Sequence, residues 1–165
     1  MRVAVKDTSI LIDLAEGDLL GRWFELRIET HTTDFVLAEL RREEQWRRVS
    51  GFVDEGLIRR HVTPPDDIAG LVDFSRSHGV SLADASGVLL AHRLKADLLT
   101  GDRRMRSVAG DFEVKVRGLL WVLDQLVERD FLSRNEAADR LERIRAAGSH
   151  LPHEECAARI RSWRG

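Results

Sequence analysis

The sequence lacks the features that several protein classes require. A single cysteine, Cys156, excludes an internal disulfide framework and fits a reducing compartment. The longest apolar run begins at Leu119, is interrupted by Asp124 and Gln125, and is far shorter than the roughly 20 residues that a membrane span needs. The first residues, MRVAVKDTS, contain no apolar core typical of a secretion signal. We therefore expect a cytoplasmic protein with no membrane partner.

Two catalytic signatures are also missing. No glycine-rich phosphate-binding loop of either common type occurs, so we do not expect the protein to use nucleoside triphosphates. Ser81 and Ser86 lack the glycine-flanked turn that presents the nucleophile of many hydrolases. The formal net charge is only −2, so total charge neither requires nor forbids a nucleic-acid partner.

The chain instead shows short β-rich runs that alternate with apolar-periodic helices. Its 165 residues, 43% of them hydrophobic, suffice for one ordinary domain with a substantial core. The pattern predicts strands at 3–6, 30–33, 57–62, 97–100 and 112–116. It predicts helices at 8–14, about 18–28, 36–55, 63–79, from Ser81 to about 96, at 103–110, on both sides of a break at 131–133, and after Leu151.

This alternation predicts a three-layer α/β/α sandwich around a mostly parallel central sheet of about five strands. The α/β core is expected to span residues 1–117. The remaining residues, 118–165, are expected to form a helical extension packed on the same domain, and apolar positions between Leu119 and Leu141 predict a dimer or partner surface.

Four acidic residues are predicted to meet at one edge of this sheet. Asp7 follows the first strand and Asp102 follows a later one. Because ligands of parallel sheets bind outside the carboxyl ends of the strands, both carboxylates face one crevice if the two strands are neighbours. Glu39, near the start of the helix after the second strand, and Asp84, in the first turn of the Ser81 helix, can point to the same edge.

Four carboxylates in one pocket raise one another's pKa unless a cation neutralises them. Mg²⁺ or Mn²⁺ is the natural counter-ion, because these ions prefer oxygen ligands and bind through a few carboxylates. One or two such ions turn a bound water into a nucleophile and stabilise charge on a scissile phosphate. The four acids therefore indicate phosphodiester hydrolysis.

Each acid also has a purely structural interpretation. Asp7 and Asp102 have the position of helix N-caps. Asp84 follows Ser81 at the spacing of a capping box. Glu39 fits the polar face of a surface helix. The joint placement of all four at one sheet edge favours the functional interpretation.

Four segments resemble the PIN domain, in the order and approximate spacing of its acidic residues, over about residues 1–117: VKDTSILIDL, FVLAEL, SLADASGVLLA and LLTGDRRMR. The resemblance implies a Mg²⁺- or Mn²⁺-dependent endoribonuclease, very often the VapC-type toxin of a toxin–antitoxin pair and commonly a homodimer. It implies that the four acids hold the metal, that Thr100 assists the site, and that Thr8 or Ser9 supports Asp7.

Three arginines follow the last of the four acids: Arg103, Arg104 and Arg106. We expect them to contact phosphates of the RNA backbone, a contribution that is independent of sequence and weakened by salt. The alternative is ion pairing with the nearby acids Asp97, Asp111 or Glu113.

Two other functions remain open. Asp7 followed by Thr8 is similar to the start of haloacid-dehalogenase-like phosphatases, but the second aspartate of that motif is absent because Ser9 stands there. The residues also allow a non-catalytic PIN-like module that binds or regulates a protein partner, an interpretation favoured by the helical extension.

Overall fold

A computed structural model describes residues 3–40 and 42–165. Five strands form one sheet: β1 (Val3–Lys6), β2 (Glu29–Thr33), β3 (Ile58–His61), β4 (Asp97–Leu99) and β5 (Val116–Arg117). Their order is β3-β2-β1-β4-β5, and every neighbouring pair is parallel. The predicted α/β fold with a parallel sheet is confirmed.

Within the described ranges, ten α-helices connect and cover the strands: α1 (Thr8–Glu16), α2 (Leu20–Glu25), α3 (Asp34–Ala38), α4 (Glu43–Asp54), α5 (Ile68–His78), α6 (Leu82–Leu94), α7 (Met105–Gly110), α8 (Leu119–Glu128), α9 (Arg134–Ala146) and α10 (His153–Arg164). A 3₁₀ turn, Pro65–Asp67, precedes α5. None of the helices in the described ranges is long and apolar enough to cross a membrane.

Two hydrophobic clusters hold this arrangement together. The larger one combines side chains of α1, α2, α4, α8 and α9, with Trp23 fully buried among them. The indole N–H of Trp23 donates to Thr30 Oγ1 at 2.7 Å, so its polar atom is satisfied inside the core. The smaller cluster is formed mainly by α5, α6 and α7. The two clusters correspond to helices packed on both sides of one sheet.

The C-terminal helices α8 and α9 are part of this core. Leu119, Leu123, Leu126 and Leu141 are each at most 1% exposed and pack in the larger cluster. The predicted dimer or partner surface along 119–141 is therefore wrong for these apolar positions, because the chain itself covers them. Exposed large hydrophobic side chains elsewhere in the described part of the chain include Trp46, Leu57, Val62, Ile68 and Leu82.

The predicted single helix over 36–55 is wrong, because the chain forms α3 and α4 with a break between them. The apolar spacing is interrupted between Leu40 and Trp46, so one amphipathic face does not continue through the segment. Thr33 caps α3 by accepting from the Val36 N–H at 3.1 Å. Arg41, inside the predicted range, lies outside the described residues.

Other boundaries also differ from those predicted. The predicted strand 112–116 is replaced by a turn followed by the short β5, since Glu113 has a positive φ of 57° that is incompatible with an extended strand. The helix predicted over 63–79 begins later, since α5 starts at Ile68, and the Thr63 hydroxyl donates to Asp34 Oδ1 at 3.2 Å. Gly79 ends α5 in the left-handed conformation and Ser81 caps α6, both as predicted.

Candidate active site

β1 lies next to β4, so the residues that follow these two strands meet at one edge of the sheet. The pairing extends one residue beyond β1, where the Asp7 N–H donates to the Leu99 carbonyl at 3.1 Å. This adjacency is the condition under which Asp7 and Asp102 face one crevice.

Asp7 is the buried member of the site. Its side chain is the N-cap of α1: Oδ1 accepts from the Ile10 N–H at 3.1 Å and from the Ser9 hydroxyl at 2.9 Å. Burial, with the residue only 5% exposed, raises the pKa of Asp7 to about 6. The Thr100 hydroxyl and the two donors on α1 oppose that rise in pKa, and the negative charge of Asp84 adds to it.

A hydrogen bond of Gly101, the second residue after β4, connects the end of that strand to the start of α1. The Gly101 N–H donates to Ser9 Oγ at 2.8 Å, and Ser9 in turn donates to Asp7. A side-chain carbon on Gly101 would lie 3.1 Å from that Ser9 oxygen, so the close approach favours glycine. The next residue, Asp102, is oriented by the bond from its N–H to Thr100 Oγ1 at 3.0 Å. The predicted supporting residues Ser9 and Thr100 therefore join the two strand ends.

Glu39 and Asp84 complete the group. Glu39 is the C-cap residue of α3 rather than near the start of a longer helix, and its Oε2 accepts from the Thr8 hydroxyl at 2.7 Å. Asp84 is in the first turn of α6, where its N–H donates to the Ser81 hydroxyl at 3.0 Å. Burial raises the pKa of Asp84, Ser81 opposes the rise, and the charges of Asp102 and Glu39 add to it.

Electrostatic interactions connect the four predicted acids, and we call them the acidic quartet: Asp7, Glu39, Asp84 and Asp102. Asp84 interacts electrostatically with each of the other three. Two members also have the structural roles considered from the sequence, since Asp7 caps α1 and Asp84 bonds its capping serine. Asp102 is not the N-cap of α7, because that helix begins at Met105 with Arg104 as its N-cap residue; Asp102 accepts from the Arg104 N–H at 2.9 Å instead. Capping and clustering coexist at this edge.

The three neighbouring arginines have different environments. Arg104 covers Asp102: its Nη2 lies 2.8 Å from Asp102 Oδ2, and this hydrogen-bonded guanidinium lowers the pKa of Asp102. Arg103 lies 3.7 Å from Glu155. Arg106 lines a shallow pocket beside Asp102, and its side chain has no ion pair within 3–40 and 42–165.

The ion pairs suggested from the sequence do not form. Asp97 instead binds Arg117, whose Nε lies 3.1 Å from Asp97 Oδ2. Asp111 and Glu113 pair with none of the three arginines in the described part of the chain.

The donor chemistry of the acidic quartet fits a hard divalent cation. Carboxylate oxygens are the ligands that Mg²⁺ and Mn²⁺ prefer, and a cation would favour the charged forms of Asp7 and Asp84, which burial disfavours. The side chains as they stand are held by other partners, Glu39 by Thr8 and Asp102 by Arg104. Accordingly, no group of three or more His, Cys, Asp or Glu among the described residues is already arranged around a metal position.

A further acid, Asp13, was missed from the sequence. It lies on α1, is 8% exposed, and burial raises its pKa to about 6. The signal was present, because Asp13 interrupts the apolar run Ile10–Ala15 on the face that packs into the core. A carboxylate at such a position has a large desolvation cost and marks a candidate functional residue.

Comparison with known proteins identifies the family of this chain. A family model, DUF3368, described as a PIN domain, matches residues 3–164 and so includes the C-terminal helices. Among solved structures, the fold is similar to the crystal structure of PAE2754 from Pyrobaculum aerophilum, with a TM-score of 0.53 and 18% sequence identity over 76% of this chain and 89% of that chain. A comparison with curated proteins finds no match. The chain belongs to the PIN domain family, which has a nuclease-type fold.

Proposed function

We propose that the protein is a metal-dependent endoribonuclease that hydrolyses phosphodiester bonds of RNA with Mg²⁺ or Mn²⁺. The observation that carries the proposal is the acidic quartet: Asp7 and Asp102 follow two adjacent parallel strands, and Asp84 interacts electrostatically with both of them and with Glu39. Two of those carboxylates, on Asp7 and Asp84, are destabilised in their charged form by burial, which is the environment that a bound cation compensates.

The acidic quartet would hold the ion. When bound there, a divalent cation lowers the pKa of water and stabilises charge on a scissile phosphate. The protein supplies rigid support: Ser9 and the Ile10 N–H fix the Asp7 carboxylate, and Thr8 orients Glu39. Thr100 links Asp7 to the backbone of Asp102. Such second-layer hydrogen bonds set the direction of metal-binding oxygens.

The arginines beside the quartet would bind the RNA backbone. Arg106 is the best placed, because it is exposed beside Asp102 and its charge is not neutralised by an acid in the described chain. Arg103 is 67% exposed at its side chain and only loosely paired, so it is also available to a phosphate. These contacts would contribute affinity without sequence preference and would weaken as salt increases.

The proposal includes the partners that the family resemblance implies, an antitoxin protein and a second copy of this chain. The exposed hydrophobic side chains of Leu57, Val62 and Ile68, between 42% and 64% exposed, offer apolar area for association that the helices α8 and α9 do not. Light scattering of the purified chain during size-exclusion chromatography would measure whether a dimer forms.

The first test combines metal binding and RNA cleavage. Calorimetry with Mn²⁺ and cleavage of a fluorescent single-stranded RNA are measured for the native chain and for Asp84→Asn. We expect Asp84→Asn to bind Mn²⁺ at least about tenfold more weakly and to lose cleavage, because one charged ligand is replaced by a neutral amide. Asp73→Asn is the matched control, since Asp73 is an exposed acid on α5 and the charge change is the same.

Three results separate the candidate functions. Cleavage that persists in Asp84→Asn would contradict the assigned site. Manganese binding by the native chain without cleavage of any RNA would favour the non-catalytic module that binds a protein partner. Hydrolysis of phosphomonoesters but not of RNA would favour the phosphatase-like alternative.

A further inference from the structure

A second concave site adjoins the acidic quartet. A cavity of about 570 Å³ opens between α1 and the turn that joins α9 to α10, and we call it the side cavity. Its lining includes Ser9, Asp13, Glu16, Gly101, Ser149 and His150. Its size is within the range of pockets that enclose small organic groups. Asp102 and Arg103 also line it, so the side cavity and the quartet share an edge.

The most unusual group in the side cavity is the carboxylate of Asp13. A side-chain carbon on Gly101 would lie 3.7 Å from Asp13 Oδ2, which places that oxygen beside the residue preceding Asp102. The Ser149 hydroxyl favours the charged carboxylate and so opposes the rise in the pKa of Asp13 that burial causes. A carboxylate accepts about four hydrogen bonds, so Asp13 retains capacity for a ligand.

Asp13 does not belong to the acidic quartet. The charges that act on it are those of Glu16 and His150, whereas those acting on Asp84 are Asp102 and Glu39. Asp13 lines the side cavity, whereas Asp7, Glu39 and Asp84 are not among the described residues that line it. The separation favours a role for Asp13 in binding the substrate rather than the ion.

The charges around the side cavity suit a ligand with an anionic part and a hydrogen-bond-donating part. Arg42 and Arg103 line the cavity together with the acids, so positive and negative groups face the same space. A nucleotide has this composition, because its phosphate attracts arginine and its base carries N–H donors. The adjacent quartet is where the neighbouring phosphate of an RNA chain would be cut.

We propose that the side cavity binds a guanine base of the RNA substrate next to the scissile phosphate, with the Asp13 carboxylate accepting hydrogen bonds from guanine N1–H and the N2 amino group. This inference rests on the proposed ribonuclease function and names the base that it selects. Single-stranded RNA is read in this way, by hydrogen bonds to the exposed Watson–Crick edges of unstacked bases.

Guanine is the base whose edge matches a carboxylate. N1–H and the N2 amino group are adjacent parallel donors, which a carboxylate accepts in a two-point contact. Uracil offers one such N–H, and adenine and cytosine each offer one amino group beside a ring acceptor that would face the carboxylate unfavourably. A site that forms two paired hydrogen bonds with its ligand discriminates strongly between bases, because a base that lacks one donor leaves a buried acceptor of the protein unpaired.

The test begins with binding alone, without added metal, at pH 8. Calorimetry measures GMP, IMP, AMP, CMP and UMP on the native chain. IMP differs from GMP only by loss of the N2 amino group, so it isolates one of the two predicted bonds. We expect GMP to bind most tightly and IMP about tenfold more weakly. Equal affinity for GMP and IMP, or tighter binding of another nucleotide, would overturn the proposal.

Two variants assign the preference to a residue. Asp13→Asn should weaken GMP binding about tenfold or more and bring the GMP to IMP ratio close to one, because the amide presents one acceptor in place of two. Glu16→Gln is the matched control: Glu16 lines the same cavity, but it is partly exposed and lies 3.5 Å from Arg48. Loss of the preference in Glu16→Gln but not in Asp13→Asn would refute the role of Asp13. The native comparison stands even if Asp13→Asn fails to fold.

A cleavage experiment distinguishes guanine in RNA from a free guanine nucleotide. Single-stranded RNAs with one guanosine, or with inosine in its place, are incubated with native protein and Mn²⁺. Cuts beside guanosine that weaken about tenfold beside inosine support the proposal. Cuts unrelated to guanosine, with GMP still preferred in the binding assay, show that the cavity binds only the free nucleotide. GMP preference without cleavage of any RNA counts against the ribonuclease and leaves the guanine site intact.

Discussion

Asp7 and Asp13 are two buried acids at the start and in the body of α1, and burial raises the pKa of each to about 6. Their neighbours differ. Asp7 is surrounded by fixed donors and interacts with the negative charge of Asp84, whereas Asp13 faces an open cavity with Ser149 as its hydroxyl neighbour. Burial alone therefore does not assign a role to an acid. Close like charges suit a cation, and spare acceptor capacity beside a cavity suits a ligand with N–H groups.

The largest predicted effect is on RNA cleavage, from a substitution that removes the charge of Asp7 but keeps its role as a helix cap. Asparagine is also a favourable N-cap, so Asp7→Asn should retain α1 while removing a proposed metal ligand. We expect RNA cleavage to fall by about three orders of magnitude, with no decrease in thermal stability. Cleavage rates and thermal unfolding are measured together. Near-native cleavage would make Asp7 a structural cap only.

Asp7→Ala is the control for this experiment, since alanine removes both the charge and the cap. It should lose cleavage as Asp7→Asn does, and its free energy of unfolding should be about 1 kcal/mol lower than that of Asp7→Asn because the cap is lost. Equal stability of the two variants would show that the bond to the Ile10 N–H contributes little to α1.

The second prediction concerns the dependence of stability on pH. Because the folded pKa of Asp13, about 6, is above the ordinary value of 3.8, the folded protein binds a proton that the unfolded chain releases between these pH values. The contribution of Asp13 to the free energy of unfolding therefore falls as pH rises through that window, and its loss is complete above it. Asp13→Asn should be more stable than the native chain at pH 8, by up to ~3 kcal/mol, and nearly equal to it at pH 3.5.

Urea unfolding at the two pH values measures this difference. Asp73→Asn, on the surface of α5, should show no such pH-dependent gain. A variant Asp13→Asn that is less stable than native protein at pH 8 would mean that the charged carboxylate stabilises the fold, contrary to the effect of its burial.

The smallest predicted effect concerns the arginine that covers the quartet. The Arg104 side chain is 81% exposed, so Arg104→Gln should leave the free energy of unfolding nearly unchanged. It should tighten Mn²⁺ binding a few-fold, because a positive charge 2.8 Å from Asp102 no longer competes with the ion. Calorimetry measures the change, and Arg103→Gln, farther from the quartet acids, should give a smaller one. Weaker Mn²⁺ binding would show that Arg104 organises Asp102 for the ion instead.

Much of the fold was predictable because local patterns were strong. Capping at Ser81, the stop at Gly79 and the apolar strand Asp97–Leu99 are local signals, and all three are found in the structure. The single helix predicted over 36–55 was wrong, because the apolar residues of α3 and α4 together resemble the face of one amphipathic helix although the chain breaks between the two. The prediction of a strand at 112–116 was wrong because the alternation of apolar residues gives no indication of the positive φ at Glu113.

The site was predictable to the extent that it depends on strand ends. The acids after β1 and β4 follow from general rules on parallel sheets, but their adjacency depends on strand order, which sequence patterns do not encode. The pairing of Arg104 with Asp102 and the side cavity depend on tertiary packing. The apolar residues of α8 were interpreted as a partner surface because periodicity shows that a face is buried without showing what buries it.

The side cavity joins parts of the chain that are far apart in sequence. One wall comes from α1 and the end of β4, and the other from the turn after α9, including Gly148, Ser149 and His150. Substitutions or length changes in that turn would reshape the cavity while leaving the strand ends that position the acidic quartet. Exchanging this turn for one of different length or sequence would therefore change the ligand that the side cavity admits while leaving the acidic quartet in place.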